Sequence, residues 1–355
     1  MSLGQLERKL LVVVGAGGVG KTTLAASLGL CSAREGANTL VMTFDPSLRL
    51  KDALGVGQSA TDTAARVKSD APGRLEVILL DARSTFDRLI DRYAPDQAAA
   101  ERIYSNRFYR ELAGNLAGIL EYMAVERLFE VAAEKSYHRI ILDTPPTRQA
   151  LDFLEAPDRI MNFLDSGAIR LALKPWWEAG GGLKRAPMRL AAKGVEGLAD
   201  KLVGGRLLGD MLEFFRAFAP LYGGFRERAE QVRTLLRDKE TLFTLVSGPG
   251  EDRIPDTMFF ARKLKESGHR VGPIVVNQVH PQAARRAGGQ AASEFESGLA
   301  LFEYLGARDH RGIEKLRKLL SRKEPLVVVP LQATPPATLA ELEVLGGVVV
   351  RQVSQ

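Results

Sequence analysis

The sequence predicts an α/β fold, a doubly wound and mostly parallel sheet that carries helical insertions. Three observations predict it. Short apolar, β-branched runs recur between longer helix-like stretches along the 355 residues, the order expected when strands are joined by helical crossovers. Most of these runs are apolar at every position rather than at alternate ones, as in strands covered on both faces. The first run leads straight into a glycine-rich turn followed by a helix-like stretch, the layout of a strand–loop–helix unit.

The first run is Leu10–Val14, preceded by Arg8-Lys9. A basic pair before apolar residues imitates the start of a secretory signal, but the run is shorter than the roughly 7–15 residues such a region needs. We read it as a buried strand and the chain as cytoplasmic. Thr39–Thr43, Leu75–Leu80 and Arg139–Leu142 are the next strand candidates, followed by Leu242–Val246, Val271–Val276 and Leu326–Val329. Two stretches interrupt this alternation. Within 84–135, Phe108, Leu112, Leu116, Ile119, Leu120 and Met123 recur every three or four residues and predict an amphipathic helix. The stretch 159–238 is helix-like, with breaks at Gly180-Gly181-Gly182 and Gly204-Gly205. The tail from Val348 to Gln355 reads as strand-like. The chain is therefore expected to form one domain over 1–355, with 84–135 and 159–238 as helical insertions forming a client- or partner-binding subdomain.

Composition excludes several classes. Hydrophobic residues make up 45% and charged residues 26%, ordinary globular usage that rules out a disordered or collagen-like chain. A single cysteine, Cys31, excludes an internal disulfide framework and a CxxC zinc clasp within the chain. No apolar run approaches the length of a membrane span, so no stable membrane insertion is expected. The net charge of +6 comes from 49 basic against 43 acidic residues. The signs are interspersed and read as a solvated, Arg-rich surface. Aromatic residues are not interleaved with a basic stripe, so no nucleic-acid partner is expected. His138, His269, His280 and His310 are scattered without metal-ligand spacing.

Gly15-Ala16-Gly17-Gly18-Val19-Gly20-Lys21-Thr22 fits G-x-x-x-x-G-K-[ST] at every fixed position. Glycines let successive backbone N–H groups curl around phosphate oxygens with no β-carbon in the way. The helix that follows, with Thr23 in its first turn, points its N-terminus at the same anion. Lys21 offers a point charge to the β- and γ-phosphates of ATP, or to the β-phosphate of ADP, and Thr22 a hydroxyl to Mg²⁺. A metal–nucleotide site also needs carboxylates at neighbouring strand ends. Asp143 closes Arg139-Ile140-Ile141-Leu142 and is the candidate for holding a water on Mg²⁺. The bland alternative is an acid opening the turn before Pro145-Pro146. Asp45, in Phe44-Asp45-Pro46-Ser47, is the candidate for orienting or deprotonating an attacking water. Read alone it is equally a turn aspartate before proline.

Together these residues resemble the ArsA-type ATPases, the group of arsenite-pump ATPases and guided-entry ATPases that target tail-anchored membrane proteins. That group lies within the SIMIBI-like class of dimeric P-loop ATPases. Gly15–Thr23 resembles the phosphate loop of the family, and the run from Asp45 to Gly55 its first switch. Gly118-Ile119-Leu120-Glu121 resembles a glycine–acid helix motif. Asp143-Thr144-Pro145-Pro146-Thr147-Arg148, followed by Leu151-Asp152-Phe153-Leu154, resembles the second switch. Val276-Asn277-Gln278 resembles the adenine-contacting segment, with Asn277 as the base-reading amide, and Pro330-Leu331 the loop that covers the adenine. The resemblance implies ATP hydrolysis with Lys21 and Asp45 as catalytic residues. It implies a homodimer, or a heterodimer with a paralogue. It also implies an apolar groove for a hydrophobic helix client, for which Leu212, Phe215 and Phe218 are candidates. The alternative for these apolar residues is burial on the sheet or at a dimer seam.

The chain departs from the family in three ways. Ala16 stands where the family carries a signature lysine that reaches the partner's phosphates. The CxxC pair and the arsenite-binding cysteine clusters are absent, and Cys31 reads as a small core residue. Arsenite pumping is therefore disfavoured, and turnover is expected to be weak. A non-hydrolysing nucleotide-dependent subunit is the alternative, and a MinD-type membrane-surface ATPase a more distant one.

Overall fold

Leu10–Gly15 forms β1, apolar and buried at every position. Its neighbours are β5 (Arg139–Asp143) on one side and β6 (Thr241–Ser247) on the other, both parallel to it. Beyond β5 lie β2 (Thr39–Thr43), β4 (Leu75–Leu79) and the two-residue β3 (Ala65–Arg66). Beyond β6 lie β7 (Val271–Val279) and β8 (Leu326–Pro330). The eight-stranded order is thus β3-β4-β2-β5-β1-β6-β7-β8, and every pairing is parallel except that of β3 with β4. This is the doubly wound sheet of a P-loop nucleoside-triphosphatase fold. The expected strands are present, with β7 running on to Val279. The edge strand β3 is too short to leave a periodic signal.

The computed structural model describes residues 4–43, 54–56, 62–107, 109, 119–167, 214, 219, 222–282, 293–320 and 324–354. Asp45, Leu212, Phe215 and Phe218 lie outside the described residues, as do Phe108, Leu112, Leu116 and Gly118. The chain divides into two compact units. The first comprises 1–80, 131–151 and 236–355, and the second 81–130 and 152–235.

In the first unit, α1 (Lys21–Arg34) and α9 (Leu339–Val353) share one apolar cluster with Leu11, Val13, Val41, Val77 and Ile141 of the sheet. Leu10, Val12 and Val14 are equally buried and, by the two-residue period of a strand, face the other side. Both faces are covered, which is why the strands read as unbroken apolar runs. α7 (Ile254–Glu266) packs against β6 and β7, and α8 (Ser293–Leu319) against β7.

The tail corrects the sequence reading. Val348 to Val353 is not strand-like but closes α9. Its N-terminus carries a capping box in which Glu341 N–H donates to Thr338 Oγ1 and the Glu341 carboxylate accepts from Thr338 N–H. Gly346 lets the helix approach α1 closely, since a β-carbon there would lie 2.7 Å from the Ser27 carbonyl oxygen. Cap and packing outweigh the β propensity of the valines. The helix has one basic residue, Arg351, and lacks the basic face of a membrane-surface helix.

The second unit is helical. Asp81 caps α2 (Ala82–Tyr93) by accepting from Arg83 N–H at 3.0 Å. Asp96 caps α3 (Gln97–Ser105) by accepting from Ala99 N–H at 2.7 Å. Most of α4 (Ile119–Ala133), α5 (Thr147–Leu164) and α6 (Tyr222–Arg237) supplies the rest of its described regular structure. Phe86, Ile103, Tyr109, Tyr122 and Phe225 build its core. Met161, Leu164 and Phe214 are buried in that core, whereas Phe163 is 46% exposed. Burial raises the pKa of the Glu126 carboxyl, and the Arg228 guanidinium that donates to it pulls the other way.

Candidate functional site

The chain lays β2 to β5 on one side of β1 and β6 to β8 on the other. The crevice outside the carboxyl end of β1 is therefore the switch point of the sheet, where ligands of open α/β sheets bind. Gly15 to Gly20 occupy it. Gly15 has to be glycine because a β-carbon would sit 2.2 Å from the Val246 carbonyl oxygen of β6. Gly18 and Gly20 take φ of 77° and 89°, in the left-handed region. At Gly20 a β-carbon would also lie 2.4 Å from Asn277 Nδ2.

α1 begins at Lys21, and no side chain caps its first turn. Its leading N–H groups and positive dipole end are thus aimed at the crevice beside the loop. The Lys21 Nζ donates to the Ala16 carbonyl at 2.9 Å, which holds the cation along the loop. Ala16 packs against the apolar cluster of the first unit. Ala16 and Gly15 also line a small recess with Ser247, Arg253 and Asp256.

The structure brings Thr22 and Asp143 together across 121 residues of sequence, the Thr22 hydroxyl donating to Asp143 Oδ2 at 2.7 Å. Thr43, at the end of β2, donates to the same oxygen at 2.8 Å. Asp143 is 1% exposed, and the two hydroxyls fix the orientation of its carboxyl group. A hydroxyl and a carboxylate at the mouth of a glycine loop are hard oxygen donors, the chemistry that suits Mg²⁺. The residue after Asp143, Thr144, anchors the end of β5 by donating its hydroxyl to the Val13 carbonyl at 2.8 Å.

Asn277 sits at the far side of the loop. Its Nδ2 donates to the Val19 carbonyl at 2.9 Å. Pro330 and Leu331 lie beside Val279, whose carbonyl accepts from Leu331 N–H at 2.8 Å. Thr43, Gln278 and Arg253 were missed by sequence reading. Gln278 lay within a segment already singled out, and Thr43 ends an apolar strand with a hydroxyl. Their partners, however, follow from strand order and loop path, which no short window contains.

Cys31 lies in α1 behind the loop. Burial pushes its thiol up to about 11, reinforced by the Glu343 and Glu35 carboxylates. It stays protonated near neutral pH and is a poor soft-metal ligand there.

The profile of the anion-transporting ATPase family, ArsA_ATPase, matches residues 8–186. An uncharacterized protein of Streptomyces coelicolor is 26% identical over 310 residues, 87% of this chain and 72% of its own. ATPase GET3C of Arabidopsis thaliana is 28% identical over 290 residues, 78% of this chain and 68% of its own. A putative arsenical pump-driving ATPase of Halobacterium salinarum is 30% identical over 179 residues, 48% of this chain and 27% of its own length. Among the described residues no helix is long and apolar enough to cross a membrane.

Proposed function

The chain belongs to the anion-transporting ATPase (ArsA) family, and on that premise we propose that it binds ATP with Mg²⁺ at the glycine loop and hydrolyses it slowly. The observation that carries this reading is the Thr22 hydroxyl on Asp143 at 2.7 Å, at the mouth of that loop. The loop N–H groups and Lys21 bind the phosphates. Thr22 would hold Mg²⁺ directly and Asp143 through water, and the ion would neutralise charge on the β- and γ-phosphate oxygens. Asp45 takes the proton of a water that attacks the γ-phosphorus. The bond from that phosphorus to the bridging oxygen breaks, leaving ADP and inorganic phosphate. Thr43 keeps Asp143 oriented by a second hydrogen bond.

Ala16 is the reason for slow turnover. A cation offered to the transferring phosphoryl group is worth 10³–10⁵ in rate, or roughly 4–7 kcal/mol of barrier. A paralogous partner supplying that cation in a heterodimer, or Arg148 after β5, would restore it. A second reading, a nucleotide-dependent subunit that binds without hydrolysis, draws on the same residue. We further propose that the protein acts as a dimer and couples nucleotide state to an apolar helix client held by the helical unit. Leu212, Phe215 and Phe218 are the groove candidates. That part rests on the family resemblance.

Steady-state phosphate release decides between the readings. The expected result is low activity that Asp45→Asn abolishes and Ala16→Lys raises. Activity equal in wild type and Asp45→Asn would remove the catalytic reading and leave the binding subunit.

A further inference from the structure

Asn277 and Gln278 are adjacent in β7, and adjacent side chains of a strand normally point to opposite faces. Here both amides reach the same loop. Asn277 Nδ2 donates to the Val19 carbonyl at 2.9 Å, and Gln278 Nε2 to the Gly18 carbonyl at 3.4 Å. Two local departures make this possible. The pairing of β7 with β8 steps from Val276 opposite Val328 to Val279 opposite Pro330, so that β7 carries an extra residue. Such bulges re-aim side chains. Gln278 also takes φ of 61°, a left-handed conformation uncommon for a glutamine. Strain of this kind persists where the surroundings fix it, and it gathers at functional sites.

The consequence follows from peptide geometry. In a planar trans peptide the C=O and the N–H of the next residue point in opposite directions. Holding the Gly18 and Val19 carbonyls toward β7 turns the N–H groups of Val19 and Gly20 away from it, toward the concave side of the loop. We propose that Asn277 and Gln278 are positioning residues that pre-aim these two N–H groups at phosphate oxygens, and that Asn277 thereby sets affinity for the phosphate tail. The inference rests on the nucleotide-site reading above. It adds to the base-reading role that the family resemblance gives Asn277, since the amide oxygen is an acceptor separate from the NH₂ group. Asn277 is buried, and only its NH₂ half can donate to a carbonyl. That half is committed to the loop, and Gly20 leaves the space it needs.

Calorimetry of the full chain with Mg²⁺ and, separately, ATP, GTP and tripolyphosphate tests this. Asn277→Asp keeps the size of the side chain but presents an acceptor to the Val19 carbonyl. It is expected to weaken all three ligands, tripolyphosphate included, by about tenfold or more. Gln278→Gly removes the second donor and accepts the left-handed φ without strain. It is expected to weaken all three by about two- to tenfold while the Tm holds or rises, a split that a purely structural role would not give. If Asn277→Asp fails to fold, Gln278→Gly decides. Loss of ATP affinity with tripolyphosphate binding unchanged would leave Asn277 to base recognition alone and overturn the proposal, as would unchanged binding in both variants. A well-folded wild type that bound none of the three ligands would overturn the nucleotide site itself.

Discussion

Gly18 and Gly20 both take left-handed φ, but they differ in surroundings. A β-carbon on Gly18 would meet nothing within 4 Å, whereas one on Gly20 would lie 2.4 Å from Asn277 Nδ2. Alanine at either position carries the left-handed penalty of about 1–2 kcal/mol. Only at Gly20 does it also push the amide off the Val19 carbonyl. Gly20→Ala is therefore expected to lower both tripolyphosphate affinity and Tm more than Gly18→Ala. Equal affinities for the two variants, measured by calorimetry, would show that the Asn277 contact is not what this glycine protects. The spacing of the motif made both glycines legible in the sequence. It could not distinguish the one that needs conformational freedom from the one that also needs an empty volume.

Secondary structure was most legible where a pattern was local. β1, β2 and β5 declare themselves as contiguous apolar runs. α9 does not, because Val348-Val349-Val350 has the composition of a strand. Its helical state depends on the Thr338–Glu341 capping box and on contact with α1. Gly346 sits at that contact, where an added β-carbon would lie 2.5 Å from Cys31 Sγ and 2.7 Å from the Ser27 carbonyl oxygen. Backbone cannot yield as a flexible side chain can. Gly346→Val is expected to destabilise the protein by about 1–3 kcal/mol through overpacking, read from denaturant melts. An unchanged midpoint would mean that α9 moves away from α1 at little cost.

At the scale of the molecule, long-range polar contacts tie distant segments together. Asp309 of α8 is fully buried. It accepts from the His280 backbone N–H at 3.0 Å, from His280 Nδ1 at 2.7 Å and from the Arg308 guanidinium at 2.9 Å. Burial opposes its ionisation, but these donors outweigh burial and hold the carboxyl below its usual range. A carboxyl with a depressed folded-state pKa adds stability above its unfolded pKa of about 3.9, and that stability is lost as the pH falls through the folded value. Asp309→Asn is expected to cost about 1.5–3 kcal/mol at pH 7 and to flatten the acid limb below about pH 4. Urea melts from pH 2 to 7 would check it. A variant that keeps the wild-type acid limb would place the acid sensitivity in other carboxylates.

The amino-acid sequence alone determined the alternation of strands and helices, the glycine loop with its lysine and threonine, and hence the fold class. These are contiguous patterns, set by side-chain period and backbone sterics within a few residues. Tertiary structure alone decided that Thr22, Thr43 and Asp143 meet, that Asn277 and Gln278 face the loop together, and that the valine-rich tail is helical. Each of these depends on which strands lie side by side, where a bulge breaks their alternation, and what a helix finds to pack against. Those are relations between segments tens to hundreds of residues apart, and no local window of sequence contains them.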